Sequence, residues 1–167
     1  MSEKKEAFHN IEPVYDKDSK ILILGSFPSV KSREGRFFYH HPQNRFWKIL
    51  SALTGDDFVT DIETKKQLLL KHGIAVWDVI GSCKIKGSSD SSIEDVVPND
   101  IDRILKEANI GHIYTNGGKS YDMYKKYIYP KTGIEAIKLP SSSPANAAWS
   151  LERLVTEWRN LIHESFK

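Results

Sequence analysis

The chain has 167 residues, a length that suits one domain around one hydrophobic core. With 40% apolar and 28% charged residues it has an ordinary globular balance, and its single cysteine, Cys83, excludes an intramolecular disulfide and a multi-cysteine zinc site. The net charge is only +2, but the segment Lys31–Lys48 alone carries +4, from five basic residues against Glu34, so the rest of the chain sums to −2.

The first clear element in chain order is the unbroken apolar run Ile21-Leu22-Ile23-Leu24, stopped by Gly25. A continuous run of this length predicts a strand buried on both faces. A loop rich in Gly, Ser and aromatic residues follows, then a helix with Phe46, Trp47, Leu50 and Leu53 at helical spacing, ending at Gly55. Thr60 and Glu63 form a capping-box pattern that opens a second helix, which runs through Leu68 and Leu70 to about Gly73. Ile74 to Val79 reads as a second buried strand. The Ser-, Gly- and Asp-rich stretch Gly81–Ser92 reads as a long loop of the kind that carries function.

Asn99 is expected to cap a third helix through Ile104 and Leu105. His112 to Thr115 reads as a third strand and Tyr121, Tyr124 and Ile128 as a fourth helix. Ile134 to Leu139 reads as a fourth strand, ended by Pro140. Leu151, Leu154, Val155, Trp158 and Leu161 define one face of a closing amphipathic helix. Strands alternating with helices predict a single α/β domain over residues 1–167, a three-layer α/β/α sandwich on a central four-stranded parallel sheet. The charged N-terminus has no apolar h-region, and no apolar run reaches the roughly 20 residues of a membrane span, so a cytoplasmic chain without a membrane partner is expected.

Ligands of open parallel sheets bind beyond the carboxyl ends of the strands. Four unusual segments follow the four strands: Gly25-Ser26-Phe27-Pro28-Ser29, then Asp78, then Asn116-Gly117-Gly118, then Pro140-Ser141-Ser142-Ser143-Pro144. The first lacks the spacing of a dinucleotide fingerprint or a phosphate-binding Walker loop, and no Gly-x-Ser-x-Gly elbow surrounds the serines. His40 and His41 lack a third ligand at metal spacing, so neither metal nor cofactor is expected. Basic residues interleaved with Phe37, Phe38 and Tyr39 fit a phosphate-tracking surface, although a solvated basic loop has the same composition.

Three of these stretches together resemble the uracil-DNA glycosylase superfamily, covering nearly the whole chain from Lys20 to the last helix. Gly25-Ser26-Phe27-Pro28-Ser29 is similar to its first motif. His41-Pro42-Gln43-Asn44-Arg45-Phe46-Trp47 is similar to the His-Pro-x-Asn-x-Phe-Trp stretch of the mismatch-specific branch. Leu139 to Ala147 is similar to the second motif, the loop that enters the duplex. The combination is closest to the hypoxanthine-DNA glycosylase (DNA-deoxyinosine glycosylase) branch. The chain departs from the mismatch-specific pattern at Phe27, where those enzymes carry a catalytic asparagine, and at Leu139, where some relatives carry histidine.

The resemblance implies a monofunctional DNA glycosylase acting on damaged DNA, with hypoxanthine as the favoured base. It also implies that Asn44 takes over catalysis by orienting water; an asparagine here could also cap the helix expected to start at Arg45, and the two roles are compatible. Tyr39, or failing it Phe38, is expected to stack on the flipped base, with Phe27 walling the pocket and the amides of Ser26 and Phe27 donating to a base carbonyl. Asp78, from its position alone, could accept a ring N–H or cap the following turn. Ser141, Ser142, Ser143 and Pro144 are expected at the DNA backbone, helped by the N-terminus of a last helix opening near Asn146. Arg33, Arg36 and Arg45 are expected to neutralise phosphates.

No lysine is placed for a Schiff base, and the chain is expected to act as a monomer. Three alternatives stay open: a uracil or thymine mismatch glycosylase, a catalytically inactive DNA-binding relative, and a serine hydrolase using Ser26 or Ser142.

Overall fold

The computed structural model describes residues 4–162. Strands β1 (Lys5–Phe8), β2 (Ile21–Gly25), β3 (Ile74–Asp78), β4 (Ile80–Ile85), β5 (Glu94–Pro98), β6 (His112–Asn116) and β7 (Ala136–Leu139) form two sheets. The main sheet has the order β3-β2-β6-β7, all parallel, and is flanked by helices. Every residue of β2 and β3 is buried, as expected for strands covered on both faces. The outer edge of β3 is closed by Val14, which exchanges two backbone hydrogen bonds with Val76 at 3.1 and 2.9 Å.

Helices α1 (Val30–Gly35) and α2 (Phe46–Thr54) follow β2, and α3 (Ile62–Lys71) precedes β3. Helix α4 (Asp102–Glu107) precedes β6. Helix α5 (Gly118–Met123) continues through a π-helical turn, Tyr124–Ile128, into α6 (Tyr129–Thr132). Helix α7 (Leu151–Leu161) closes the chain and packs on α2, where the fully buried Trp158 meets Phe46 edge-on at 5.9 Å. Trp158 also donates from Nε1 to the Pro140 carbonyl at 2.8 Å, which ties α7 to the loop after β7.

The four parallel strands match the sequence reading, but five local expectations change. The stretch 81–92 is only partly loop. Ile80, Cys83 and Ile85 bury themselves as β4, which pairs antiparallel with β1 and β5 in a second sheet. Asp61 rather than Thr60 caps α3, its Oδ1 accepting from the Thr64 amide at 2.8 Å. Asn99 caps no helix; its Nδ2 donates to the carbonyls of Asp78 (2.9 Å) and Ile80 (3.2 Å) and holds the β3–β4 corner. The last helix opens at Ser150, not near Asn146. The segment after β2 also contains α1, capped by Ser29.

Residues 140–149 stay irregular because their carbonyls point inward to Arg45 rather than along a helix axis. The Arg45 guanidinium donates from Nε to Ser142 O (3.4 Å), from Nη2 to Ser143 O (2.8 Å) and Asn146 O (3.0 Å), and from Nη1 to Trp149 O. Its backbone amide adds a bond to Ser142 O at 3.1 Å. Lysine carries no planar fork with which to reproduce this set. Arg45→Lys is expected to lower unfolding stability by about 1.5–3 kcal/mol in a urea titration. Arg36→Lys, at an exposed position, is expected to stay within about 0.5 kcal/mol of the parent.

Candidate active site

The carboxyl ends of β2, β3 and β6 and the loop after β7 enclose a cavity of about 370 Å³, within the ordinary range of small-molecule sites. Its walls bring together Ser26, Phe27, Phe38, Tyr39, Asn44, Asp78 and Ser141 to Pro144, which the sequence suggests, and Asp90, Asn116 and His41 besides. Arg33, Arg36 and Arg45 are not among the lining residues.

Asn44 sits one residue ahead of the helix-flanking Arg45 and is held by two bonds. Its Oδ1 accepts from the Phe46 amide at 3.0 Å and from Ser142 Oγ at 2.8 Å. The Phe46 amide can only donate, so the oxygen of the side chain must face it, and the orientation of the amide is thereby determined. Ser142 Oγ in turn accepts from Asn116 Nδ2 at 2.9 Å, while Asn116 Oδ1 accepts from the Ser142 amide at 3.0 Å. The chain of donors runs one way, from Asn116 through Ser142 to Asn44. It leaves Asn44 Nδ2 as a donor without a protein acceptor among the described residues. Asn44 is not the N-cap of α2, which is Arg45, but from the preceding position it satisfies the first helical amide while lining the cavity.

Asp78 ends β3 and is nearly fully buried. Its Oδ2 lies 2.8 Å from His9 Nε2, with side-chain exposures of 5% and 4% that put the pair inside the protein. His9 Nδ1 accepts from the Ile11 amide at 3.3 Å, which makes Nε2 the donor to Asp78. Asp78 does not cap the following turn by its side chain. Its Oδ1 crosses the Cα of Gly25 so closely that a Cβ there would stand 2.4 Å from it, which explains a glycine at the end of β2. Gly117 has a related task at the end of β6, with φ of 99° and Ser141 Cβ 3.1 Å from where a side chain would begin.

The aromatic stretch divides. Phe37 and Phe38 are both core residues, each 2% exposed, so Phe38, although it lines the cavity, presents almost no accessible surface for stacking. Tyr39 adopts a left-handed backbone, φ 51°, and stacks one ring face on Phe46 at 4.0 Å. Its hydroxyl is buried without a hydrogen-bond partner among the described residues; Asn116 is near but does not meet hydrogen-bond geometry. Burial, followed by the charge of Asp78, pushes that hydroxyl far above the usual phenol range. Phe27 lies under the Arg33 guanidinium, 5.2 Å from its ring centroid. The amides of Ser26 and Phe27 donate to no protein group among the described residues.

Several expected phosphate contacts are otherwise engaged. Arg45 spends four of its five N–H donors on the carbonyls of Ser142, Ser143, Asn146 and Trp149. Arg33 braces a loop by donating to the Gly87 carbonyl at 2.8 Å, and burial lowers its pKa from the usual guanidinium range. Ser142 is fully buried, and its hydroxyl serves the Asn116–Asn44 chain rather than a surface. Ser141 and Ser143 hydroxyls accept from the amides of Ser143 and Ala145, both at 3.1 Å, shaping their own loop. Among the three arginines, Arg36 alone is exposed with a side chain that makes no hydrogen bond or ion pair to the described residues; its backbone amide caps α1 at the Ser32 carbonyl.

The sequence singles out neither His9 nor Asp90, although Asp90 lies in the stretch 81–92 that reads as a functional loop. His9 is delivered by β1, whose charged pattern gives little indication of a strand. Asp90 opens a short 3-10 turn, Asp90–Ser92, and its Oδ1 accepts from Ser26 Oγ at 3.1 Å. The carboxyl of Asp90 keeps a solvent-facing edge, yet the surrounding walls desolvate it enough to raise its pKa above the usual carboxylate range. The Ser26 bond and Lys119 oppose this shift and Asp78 adds to it.

The family model of the uracil DNA glycosylase superfamily matches residues 12–162. A protein named hypoxanthine DNA glycosylase from Methanosarcina barkeri is 34% identical over 167 residues, covering 98% of this chain and 99% of the relative. Another of the same name from Methanosarcina acetivorans is 34% identical over 146 residues, covering 87% of this chain and 91% of the relative. A solution NMR structure from Methanosarcina acetivorans, described as a candidate uracil DNA glycosylase, superposes with a TM-score of 0.74 at 32% identity, over 92% of this chain and 97% of its own. The chain belongs to the uracil DNA glycosylase superfamily.

Proposed function

We propose that this protein is a monofunctional DNA glycosylase that hydrolyses the N-glycosidic bond of deoxyinosine and releases hypoxanthine. The observation that carries the reading is the pairing, on one wall, of the Asp78 carboxylate with the free amides of Ser26 and Phe27. A deaminated base has a carbonyl beside a ring N–H. Its oxygen accepts from those amides and its N–H donates to Asp78 Oδ1, because Oδ2 is engaged by His9. Adenine presents the opposite pattern, an exocyclic donor and a ring acceptor, and meets the carboxylate with a lone pair. Uracil and xanthine share the carbonyl and N–H; the names of the relatives favour hypoxanthine.

The target nucleotide leaves the stack and its base enters the cavity beside Phe27 and Tyr39. Breaking the bond between C1′ and the base puts positive charge on the sugar and negative charge on the base. Fixed donors aimed at the base carbonyl stabilise that charge without reorganising. Asn44 Nδ2, whose position is set by Phe46 and Ser142, donates to the oxygen of the attacking water and holds it near C1′. The loop of Ser141 to Pro144, rigid through Arg45, fills the gap beside the flipped nucleotide.

A panel of duplexes containing hypoxanthine, uracil or xanthine, treated with enzyme and then alkali, tests the reading: hypoxanthine is expected to be released fastest. Asn44→Ala is expected to lower that release by about 10²–10³-fold, and loss of its bond to the Phe46 amide to cost about 1 kcal/mol in a melting experiment. Wild-type release by a folded Asn44→Ala protein would remove Asn44 from the chemistry. Asp78→Asn is expected to cut hypoxanthine release roughly 10- to 150-fold, the equivalent of about 1.5–3 kcal/mol for a bond to a charged group. Unchanged base preference in that variant would contradict the assigned wall. Arg36→Ala is expected to reduce the slope of log affinity against log salt by about one, and an unaltered slope would place Arg36 off the DNA.

A further inference from the structure

Hydrogen-bond accounting at the cavity leaves the attacking water without a proton acceptor among the amides. An amide oxygen has two lone pairs, and those of Asn44 Oδ1 are occupied by the Phe46 amide at 3.0 Å and Ser142 Oγ at 2.8 Å. Asn116 Oδ1 already accepts from the Ser142 amide. A neutral amide is in any case too weak a base to take a proton from water. His41 also lines the cavity, but its Nδ1 accepts from the Gln43 amide at 3.1 Å, so Nε2 of the neutral ring is a donor; two carboxylates remain on the wall, Asp78 and Asp90. Asp78 is buried against His9 and faces the base edge. Asp90 is bound only at Oδ1, by Ser26 Oγ, and its Oδ2 has no hydrogen bond or ion pair to the described residues.

The placement of Asp90 is built rather than incidental. Its loop, which also lines the cavity through Ser88, is pinned by Arg33, which donates to Gly87 O at 2.8 Å, and by the Val30 amide, which donates to Ser88 Oγ at 2.8 Å. Within the loop, Ser92 Oγ accepts from the Lys86 amide at 2.8 Å. Ser26 then joins Asp90 directly to the segment after β2, where Phe27 stands in place of a polar side chain.

We propose that the Asp90 carboxylate is the proton acceptor for the water that attacks C1′, a role that rests on the glycosylase reading above. The water oxygen bonds to C1′ as the C1′–N9 bond of deoxyinosine breaks, and the bonding pair leaves with hypoxanthine. The water proton passes to Asp90 and from there to solvent. The departing base takes up one proton from solvent, so atoms and charge balance.

Burial raises the Asp90 pKa above the usual carboxylate range. Ser26 and Lys119 act against the shift, Asp78 adds to it, and the Tyr39 hydroxyl and Lys138 also border the site. A carboxylate serves as a base only when ionised, so excision falls as the pH drops through that raised value.

Single-turnover release of hypoxanthine from a duplex, followed across pH with DNA affinity measured separately, tests this. Asp90→Asn is expected to slow release by about 10²–10⁴-fold with affinity and melting temperature unchanged, and to abolish the acid limb. Asp90→Glu is expected to recover part of the rate and to keep the limb. Ser26→Ala, which removes a bond that lowers the Asp90 pKa, is expected to move the limb to higher pH. Asp90→Asn release at the wild-type rate with the limb intact, or a limb unmoved by Ser26→Ala, overturns the Asp90 role while leaving the glycosylase reading standing. No release of hypoxanthine by the wild type at any pH overturns both.

Discussion

Arg45 stands at the start of α2 and collects the carbonyls of Ser142, Ser143, Asn146 and Trp149, groups that a loop without regular structure would otherwise leave unsatisfied. Its neighbour Asn44 is thereby brought against Ser142, and Ser142 against Asn116. Helix α2, the end of β6 and the loop after β7 are joined by three consecutive polar contacts. Trp158 adds a fourth tie, from α7 to Pro140. A charge that recognition of DNA could have used is turned inward to give the loop a single shape.

The second constraint is electrostatic. A carboxylate as buried as Asp78 is costly unless paired, and His9 supplies the partner from a strand that lies outside the parallel sheet. The small sheet of β1, β4 and β5 thus has a bearing on the cavity, since it carries His9 at one end and leads into the Asp90 turn at another. Two acids in one cavity have different surroundings. Asp78 is fixed by a histidine and buried, while Asp90 meets a serine hydroxyl and solvent. Environments that differ in this way are how a site assigns different tasks to chemically identical groups.

The parallel strands were legible because each is an apolar run covered on both faces, and their order along the chain predicts the layering. The edge strands of the small sheet were not, because β1 and β5 are short and each opens with two consecutive exposed charged residues, which breaks the alternation expected of a half-buried strand. Asn44, Asp78 and the triple serine stand out through local pattern and position at strand ends. His9 and Asp90 do not, since their partners lie 69 and 64 residues away and no spacing announces a pair that only the fold creates. Arg45 illustrates a different limit. A basic residue in a basic segment suggests a surface role by composition, whereas four inward-pointing carbonyls decide its actual one. The same holds for Phe38, which its neighbours draw into the core.

The most direct test is a crystal structure with a duplex carrying 2′-fluoro-deoxyinosine, whose electron-withdrawing fluorine slows loss of the base. The expected complex has hypoxanthine inside the cavity, its ring N–H on Asp78 Oδ1, its carbonyl on the amides of Ser26 and Phe27, and a water between Asn44 Nδ2 and Asp90. A base that stays stacked in the duplex, or that binds away from this wall, would contradict the assignment of the cavity.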